Sequence, residues 1–119
     1  MATLSTGQKG EALAAAFLLT RGYVVVETNW RCTRGEIDII ARDGETLVFV
    51  EVRTRHSHNT AEAFESVNTR KQSRLQAAVY AYLDEHPSES DMWRIDVIAV
   101  ALPREGKPLI EQVEDAFDW

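Results

Sequence analysis

The stretch Gly35 to Arg55, GEIDIIARDGETLVFVEVRTR, constrains this chain more than any other. Asp43-Gly44 stands between two apolar, β-branched runs, the strongest short-range signal for a β-hairpin. A two-residue turn at Asp43-Gly44 sets Ile40 opposite Leu47, Asp38 opposite Phe49 and Glu36 opposite Glu51. Strand side chains alternate, so Glu36 and Asp38 share a face with Glu51 and Arg53. Asp38 and Glu51 are then diagonal neighbours, roughly 7–8 Å apart at the backbone. Like charges facing one another across a sheet destabilise it. Three acids and one cation on a shared face are explained most simply by a bound cation. In the second strand Leu47 and Phe49 alternate with Val48, Val50 and Val52, so both faces begin apolar. That describes a central strand covered on both sides, with its polar end opening where an active site would lie.

The spacing Asp38, then Glu51-Val52-Arg53, resembles the D…(D/E)xK signature of restriction-endonuclease-like (PD-(D/E)XK) nucleases. The wording GEIDIIA…LVFVEVRTR is closer still to an uncharacterised bacterial family, the YraN-like proteins, whose usual text is GEIDLIA…VFVEVKTR. The likeness extends to Gly10-Glu11-x-x-Ala14, Asn29-Trp30-Arg31, Lys71 with its helix, and Arg94-Ile95-Asp96-Val97. It implies an α/β domain with a restriction-endonuclease-like core, a mixed central sheet flanked by helices. It also implies hydrolysis of phosphodiester bonds, as in Holliday-junction resolvases, with Mg²⁺ or Mn²⁺ as cofactor. In that reading Asp38 and Glu51 hold the metal, Glu36 or Glu11 assists, and the Val52 carbonyl is a usual further ligand. Such a metal lowers the pKa of a bound water and stabilises charge on the phosphate. Arg53, Arg55 and Lys71 would orient the phosphate. Many members of the superfamily act as dimers, which implies a homodimer by analogy.

One position departs from the pattern. The residue after Glu51-Val52 is normally lysine, and here it is Arg53. Arginine keeps its proton and cannot serve as a general base, although its fork of donors can stabilise a crowded phosphate.

The 119 residues suit a single domain spanning the chain. No run of about 18 apolar residues suggests a membrane span, and MATLSTGQKGEAL lacks the pattern of a signal peptide. With a lone Cys32, these features favour the cytoplasm. The net charge of −6 argues at face value against nucleic acid, but it is unevenly spread. Residues 1–83 carry 10 Lys+Arg against 9 Asp+Glu; residues 84–119 carry 3 against 10. The second part reads as a solvated acidic edge. The first gathers Arg31, Arg34, Arg53, Arg55, Arg70, Lys71 and Arg74 around the acids. Of these, Arg34, Arg55, Arg70 and Arg74 are candidate phosphate contacts; the resemblance to the nucleases implies DNA as the partner rather than RNA.

Ser5 with Gln8 forms a capping box for a first helix from about Thr6 to Arg21, with Gly22 as its C′ residue. Glu11 lies on the apolar stripe with Ala14, Ala15 and Leu18. Two readings stay open for it: an arginine partner or exposed first turn, and a further acid at the metal site. Tyr23 to Glu27 reads as the first strand and Asn29 to Arg34 as a loop, with Trp30 a core or rim anchor. His56 and His58 sit in a polar loop without the four ligands of a structural zinc site. Oxygen ligands from Asp38 and Glu51 favour a hard cation instead.

Asn68 or Thr69 caps a second long helix ending near His86-Pro87, with Leu75, Ala78, Val79 and Tyr82 as its buried stripe. Lys71 continues that stripe by one turn, either snorkelling or aimed at the scissile phosphate. Ser88 to Asp91 reads as a turn, Met92 to Leu102 as a strong strand and Leu109 to Val113 as an edge strand. Asp96 reads as a structural acid paired with Arg94 or an arginine of the first strands. The tail EDAFDW caps the core or mediates self-association. The functional reading is a metal-dependent endonuclease. Its alternatives are a catalytically inactive nucleic-acid-binding module of the same fold, and a partner-binding protein whose acids form surface pairs.

Overall fold

The structure is a computed structural model that describes residues 3–87 and 92–117. The turn expected at Ser88 to Asp91 lies outside the described residues. Helix α1 (Thr6–Thr20) begins at the expected capping box: Ser5 Oγ accepts the Gln8 N–H at 3.1 Å, and Gln8 Oε1 accepts the Ser5 N–H at 2.9 Å. Strands β1 (Val24–Cys32), β2 (Gly35–Asp43) and β3 (Thr46–Arg55) follow. A short helix α2 (Ala61–Glu65) and the long α3 (Thr69–Glu85) then lead to β4 (Trp93–Ala101) and β5 (Leu109–Val113). Asn68 is the cap of α3, its Oδ1 accepting the Lys71 N–H at 3.0 Å.

The five strands form one mixed sheet in the order β1-β2-β3-β4-β5. Among the described residues only β3 and β4 are parallel, because α2 and α3 carry the chain back between them. As expected, β3 is central and Leu47 to Val50 are fully buried. On one face Val48, Val50, Ile98 and Val100 pack with Ala14 and Leu18 of α1. On the other, Leu47, Phe49 and Ile95 pack with the α3 stripe Leu75, Ala78, Val79 and Tyr82. This is the α/β arrangement of mixed sheet and flanking helices anticipated above.

The hairpin register differs from the expected one by two residues. Ile40 pairs with Phe49 and Arg42 with Leu47, because the turn is Gly44-Glu45 rather than Asp43-Gly44. Gly44 has φ +61 at the first central position, where a type II′ turn requires glycine. A slip of one residue would have turned every side chain over; a slip of two leaves the apolar pattern satisfied, so the pattern alone cannot exclude it. The paired register ends at Ile39↔Val50, so Asp38 and Glu51 are the residues just beyond the last pair rather than diagonal neighbours within the ladder.

The first strand is also longer than expected. It runs to Cys32 because Asn29 adopts φ 54, a left-handed conformation asparagine tolerates, and the strand resumes beyond it. Trp30 then packs edge-on against Tyr82, with ring centroids 5.3 Å apart. Opposite Asn29 the β1–β2 ladder skips Asp38, and the β2–β3 ladder stops at Ile39↔Val50. Ile39 belongs to the α1-side core, yet Ile37 belongs to the α3-side core, so the alternation breaks at Asp38. Asp38 therefore stands where the strands part. Its Oδ2 accepts the Val52 N–H at 2.8 Å, replacing a backbone partner.

Asp96 is fully buried in β4, level with Val50 of β3. Arg94 Nε donates to its two oxygens at 3.0 and 3.2 Å, Gln112 Nε2 at 2.8 Å, and the Asp115 N–H at 3.0 Å. Burial works against the charge on Arg94, but Asp96 outweighs it and holds the guanidinium above its ordinary pKa. This acid is structural, as anticipated, and it ties β5 and the following segment to β4. Phe117 packs on the α3-side core, so the described part of the tail caps the core.

Two glycines let the helices approach the sheet closely. A Cβ on Gly35 would stand 2.5 Å from the Arg74 carbonyl oxygen of α3, and one on Gly10 would collide with the Thr54 side chain of β3. Gly10→Ala is expected to destabilise the protein by about 1–3 kcal/mol, the usual cost of overpacking, and Thr54→Ala should restore part of that. Thermal melts of the two single variants and the double variant check this.

Candidate active site

The polar end of β3 opens into a cavity of about 260 Å³ lined by Glu36, Glu51, Arg53, Lys71, Arg74 and Leu75. Strand β3 delivers Glu51 and Arg53 from its last turns of alternation. The Gly35–α3 approach brings Lys71 and Arg74 over them. Arg53 and Glu51 form an ion pair at 3.3 Å, with side chains 16% and 13% exposed. Arg53 Nε also donates to Ser66 Oγ at 2.9 Å, and Ser66 Oγ donates to the Ala63 carbonyl at 2.6 Å. The arginine standing in for lysine therefore bridges the acid to the end of α2. Sequence reasoning missed both α2 and Ser66. The five-residue helix shows no periodicity of its own, and the arginine fork becomes meaningful only once its partner is seen.

Asp38 lines an adjoining cavity of about 220 Å³ on the α1 side, with Gln8, Glu11 and Asn29 among its neighbours. The face on which four charged residues were expected together is thus divided. Glu36, Glu51 and Arg53 share one cavity, while Asp38 and Glu11 line the next. The break in β2 at Asp38 causes the division. Glu36 also pairs with exposed Arg31 at 3.1 Å.

Electrostatics join the two halves. Burial and then repulsion from Glu51 push the Asp38 carboxyl up to about 8, against the opposing effect of the Val52 N–H; Glu11 and Glu36 add to the repulsion. Burial raises Glu51 as well, opposed by the charge and hydrogen bond of Arg53. Glu11 is raised by burial and by Glu36, and hydrogen bonding with Asp38 and Asn29 lowers it in part. Glu11 therefore belongs with Asp38, not with an arginine partner in the core. Lys71 is lowered by desolvation and then by Arg53 and Arg55. Carboxylates whose neighbours are other carboxylates, with too few cations among them, are what a positive ligand relieves.

Among the described residues, no three of His, Cys, Asp and Glu stand together in an arrangement that could hold a metal ion. The donor chemistry still suits a small hard cation. Mg²⁺ keeps several waters and is commonly bound by one or two carboxylates together with substrate phosphate, not by an all-protein cage. Asp38 and Glu51 supply such a pair.

The basic residues divide similarly. Arg74 and Lys71 line the cavity, and Arg55 is close enough to Lys71 to depress it. Arg34 lies in the exposed β1–β2 turn and Arg70 on the exposed side of the first turn of α3; neither is among the cavity's lining residues. Gln76 donates to Tyr80 Oη at 3.3 Å outside that cavity. Cys32 packs at the edge of the α3-side core.

These features define an α/β domain with one acid-and-base cleft where the central strands part. The chain belongs to the uncharacterised protein family UPF0102, whose family model matches residues 10–100. A UPF0102 protein of Chloroflexus aurantiacus is 50% identical over 95 residues, covering 79% of this chain and 77% of that one. One of Syntrophus aciditrophicus is 46% identical over 115 residues, covering 97% and 90%. One of Pseudarthrobacter chlorophenolicus is 40% identical over 113 residues, covering 95% and 86%. Among the described residues no helix is long and apolar enough to cross a membrane.

Proposed function

We propose that this protein is a metal-dependent endonuclease acting on the phosphodiester bonds of DNA, with branched or otherwise structured DNA as the first substrates to test. One observation carries the reading: the buried, mutually repelling pair Asp38 and Glu51, bordered by Arg53, Lys71 and Arg74. Asp38 and Glu51 would hold Mg²⁺ or Mn²⁺, with the Val52 carbonyl, Glu36 and Glu11 as the nearest further donors. When bound, the cation supplies positive charge at the phosphate and acidifies water. The chain's own groups do the rest. Arg53, fixed by Glu51 and Ser66, keeps further N–H donors for a phosphate oxygen. Lys71 and Arg74 hold and orient the phosphate from the α3 side, and Lys71 is an amine whose charge acts on Glu51.

A divalent-cation titration followed by thermal melting tests the metal part. Mn²⁺ or Mg²⁺ should raise the melting temperature of the wild type and leave Asp38→Asn unmoved, because a ligand that binds only the folded state stabilises it. An equal shift in both proteins would place the metal elsewhere.

A second reading, a nucleic-acid-binding module that does not cleave, is favoured by Arg53, an arginine that cannot act as a general base and is held by Glu51 and Ser66. The two readings part on one variant. If wild type binds DNA without cutting it and Arg53→Lys cuts, the binding module is the natural state.

A further inference from the structure

A larger cavity, about 400 Å³, lies at the same end of the sheet and is not used by the chemistry above. It is formed by the loops that follow the parallel pair β3 and β4, and is lined by His56, Ser57, His58, Glu62, Leu102 and Arg104. The carboxyl ends of parallel strands are where α/β sheets place ligands. Here the two exits are tied together: the Leu102 N–H donates to the Arg55 carbonyl at 2.8 Å and the Ser57 N–H to the Leu102 carbonyl at 3.2 Å. His56 Nε2 meets Thr6 Oγ1 at 3.1 Å, which fixes the loop to the start of α1. His58 and Arg104 remain exposed at the mouth.

The lining offers two imidazoles, a hydroxyl and a guanidinium against one carboxylate, Glu62. Among the described residues no His, Cys, Asp or Glu triplet is set to take a metal, so His56, His58 and Glu62 do not form a zinc site. Donors of this kind at a loop mouth suit a phosphate oxygen. The place fits as well. Arg53 borders the first cavity and His58 the second, five residues further along the chain. Even fully extended, that distance is no more than about 17 Å, or about five nucleotides at roughly 3.4 Å of rise per nucleotide.

We propose that this cavity is a second phosphate-binding subsite, which holds the nucleic-acid backbone a few nucleotides away from the bond at Glu51. The inference rests on the nucleic-acid reading above and names the part of the substrate that this reading leaves unplaced. Phosphate contacts position the strand and carry no sequence preference, so the subsite sets substrate length and direction across the cleft.

The test is fluorescence anisotropy in a chelating buffer, where binding is read without cleavage. Labelled oligonucleotides of about three and about 12 nucleotides are compared, with inorganic phosphate and a mononucleotide as competitors. Arg104→Ala should weaken the longer strand about tenfold, the usual order for a charge-assisted contact. It should lower the salt slope by about one and leave the short strand unchanged. His58→Ala should act in the same direction, and Glu62→Gln should tighten binding by removing the opposing charge. Residues 58, 62 and 104 are exposed, so these variants should fold, and circular dichroism checks that they do.

If wild type binds the longer strand and Arg104→Ala binds it equally well, the subsite is overturned while the nucleic-acid reading stands. If Glu62→Gln weakens binding, the ligand is not an anion and the inference fails. If phosphate or the mononucleotide competes as well as the longer strand does, the cavity serves a free phosphate ligand instead. If wild type binds neither oligonucleotide, both the subsite and the nucleic-acid reading fall.

Discussion

Asp38→Asn is expected to melt higher than the wild type without metal and to lose cleavage. The carboxyl of Asp38 is raised from 3.8 to about 8, chiefly by burial and by Glu51. A carboxyl raised in the folded state contributes stability fully below its unfolded pKa, and that contribution drains away as pH rises through the folded value. The metal-free wild type should therefore lose stability between about pH 4 and pH 8, where the unfolded chain has released the Asp38 proton and the folded protein still holds it. Asparagine keeps an oxygen for the Val52 N–H and carries no charge. The variant should show a flatter pH profile and be more stable at pH 8 by about 1–2 kcal/mol, the usual size of a gain made by removing a functional strain. A divalent cation should reverse the order by stabilising only the wild type. Melts from pH 5 to pH 8.5, with chelator and with Mn²⁺, measure all of this. An Asp38→Asn protein that melts lower than wild type throughout would mean that the carboxylate is an ordinary structural acid.

Lys71→Ala should reduce cleavage by on the order of 10²-fold, the usual size of a general acid–base contribution. The lysine of an ExK site brings positive charge to the phosphate and can also move a proton. Arg53 meets the first need and fails the second. Lys71 lines the same cavity from α3, and desolvation with Arg53 and Arg55 holds its pKa below the ordinary lysine value. Arg53→Lys should leave activity unchanged or raise it, and in combination with Lys71→Ala should recover much of the loss. The new lysine would also give up the bond to Ser66, so some loosening at the end of α2 is expected. Single-turnover rates for the four proteins on one substrate decide it. Wild-type rates for Lys71→Ala would make Lys71 a snorkelling lysine.

Where one residue type has one local meaning, the sequence was legible. Ser5 and Gln8 cap α1, Asn68 caps α3, and β3 is buried on both faces because its apolar residues alternate without a polar side. The acids Glu36, Glu51 and the cation Lys71 converge as the hairpin and helix stripe suggested. Departures occur where backbone geometry breaks the period. The left-handed Asn29 lets β1 continue past a position read as its end, and it ends the alternation of β2 at Asp38. That break draws Asp38 to Glu11 and the α1 side, a placement no period-two argument contains. The hairpin turn moved by one residue because Asp43-Gly44 and Gly44-Glu45 both satisfy the apolar pattern. Helix α2, five residues long, has no periodicity to read, and Ser66 gains meaning only as the partner of Arg53.

The most direct measurement is an in vitro cleavage assay of the wild type and Glu51→Gln on branched, flap and single-stranded DNA and RNA, with Mg²⁺, Mn²⁺ or chelator. The account predicts cutting of at least one DNA substrate by the wild type, only with a divalent cation, and none by Glu51→Gln. Cutting in chelator, or equal cutting by Glu51→Gln, would contradict it, as would no cutting of any substrate by the wild type.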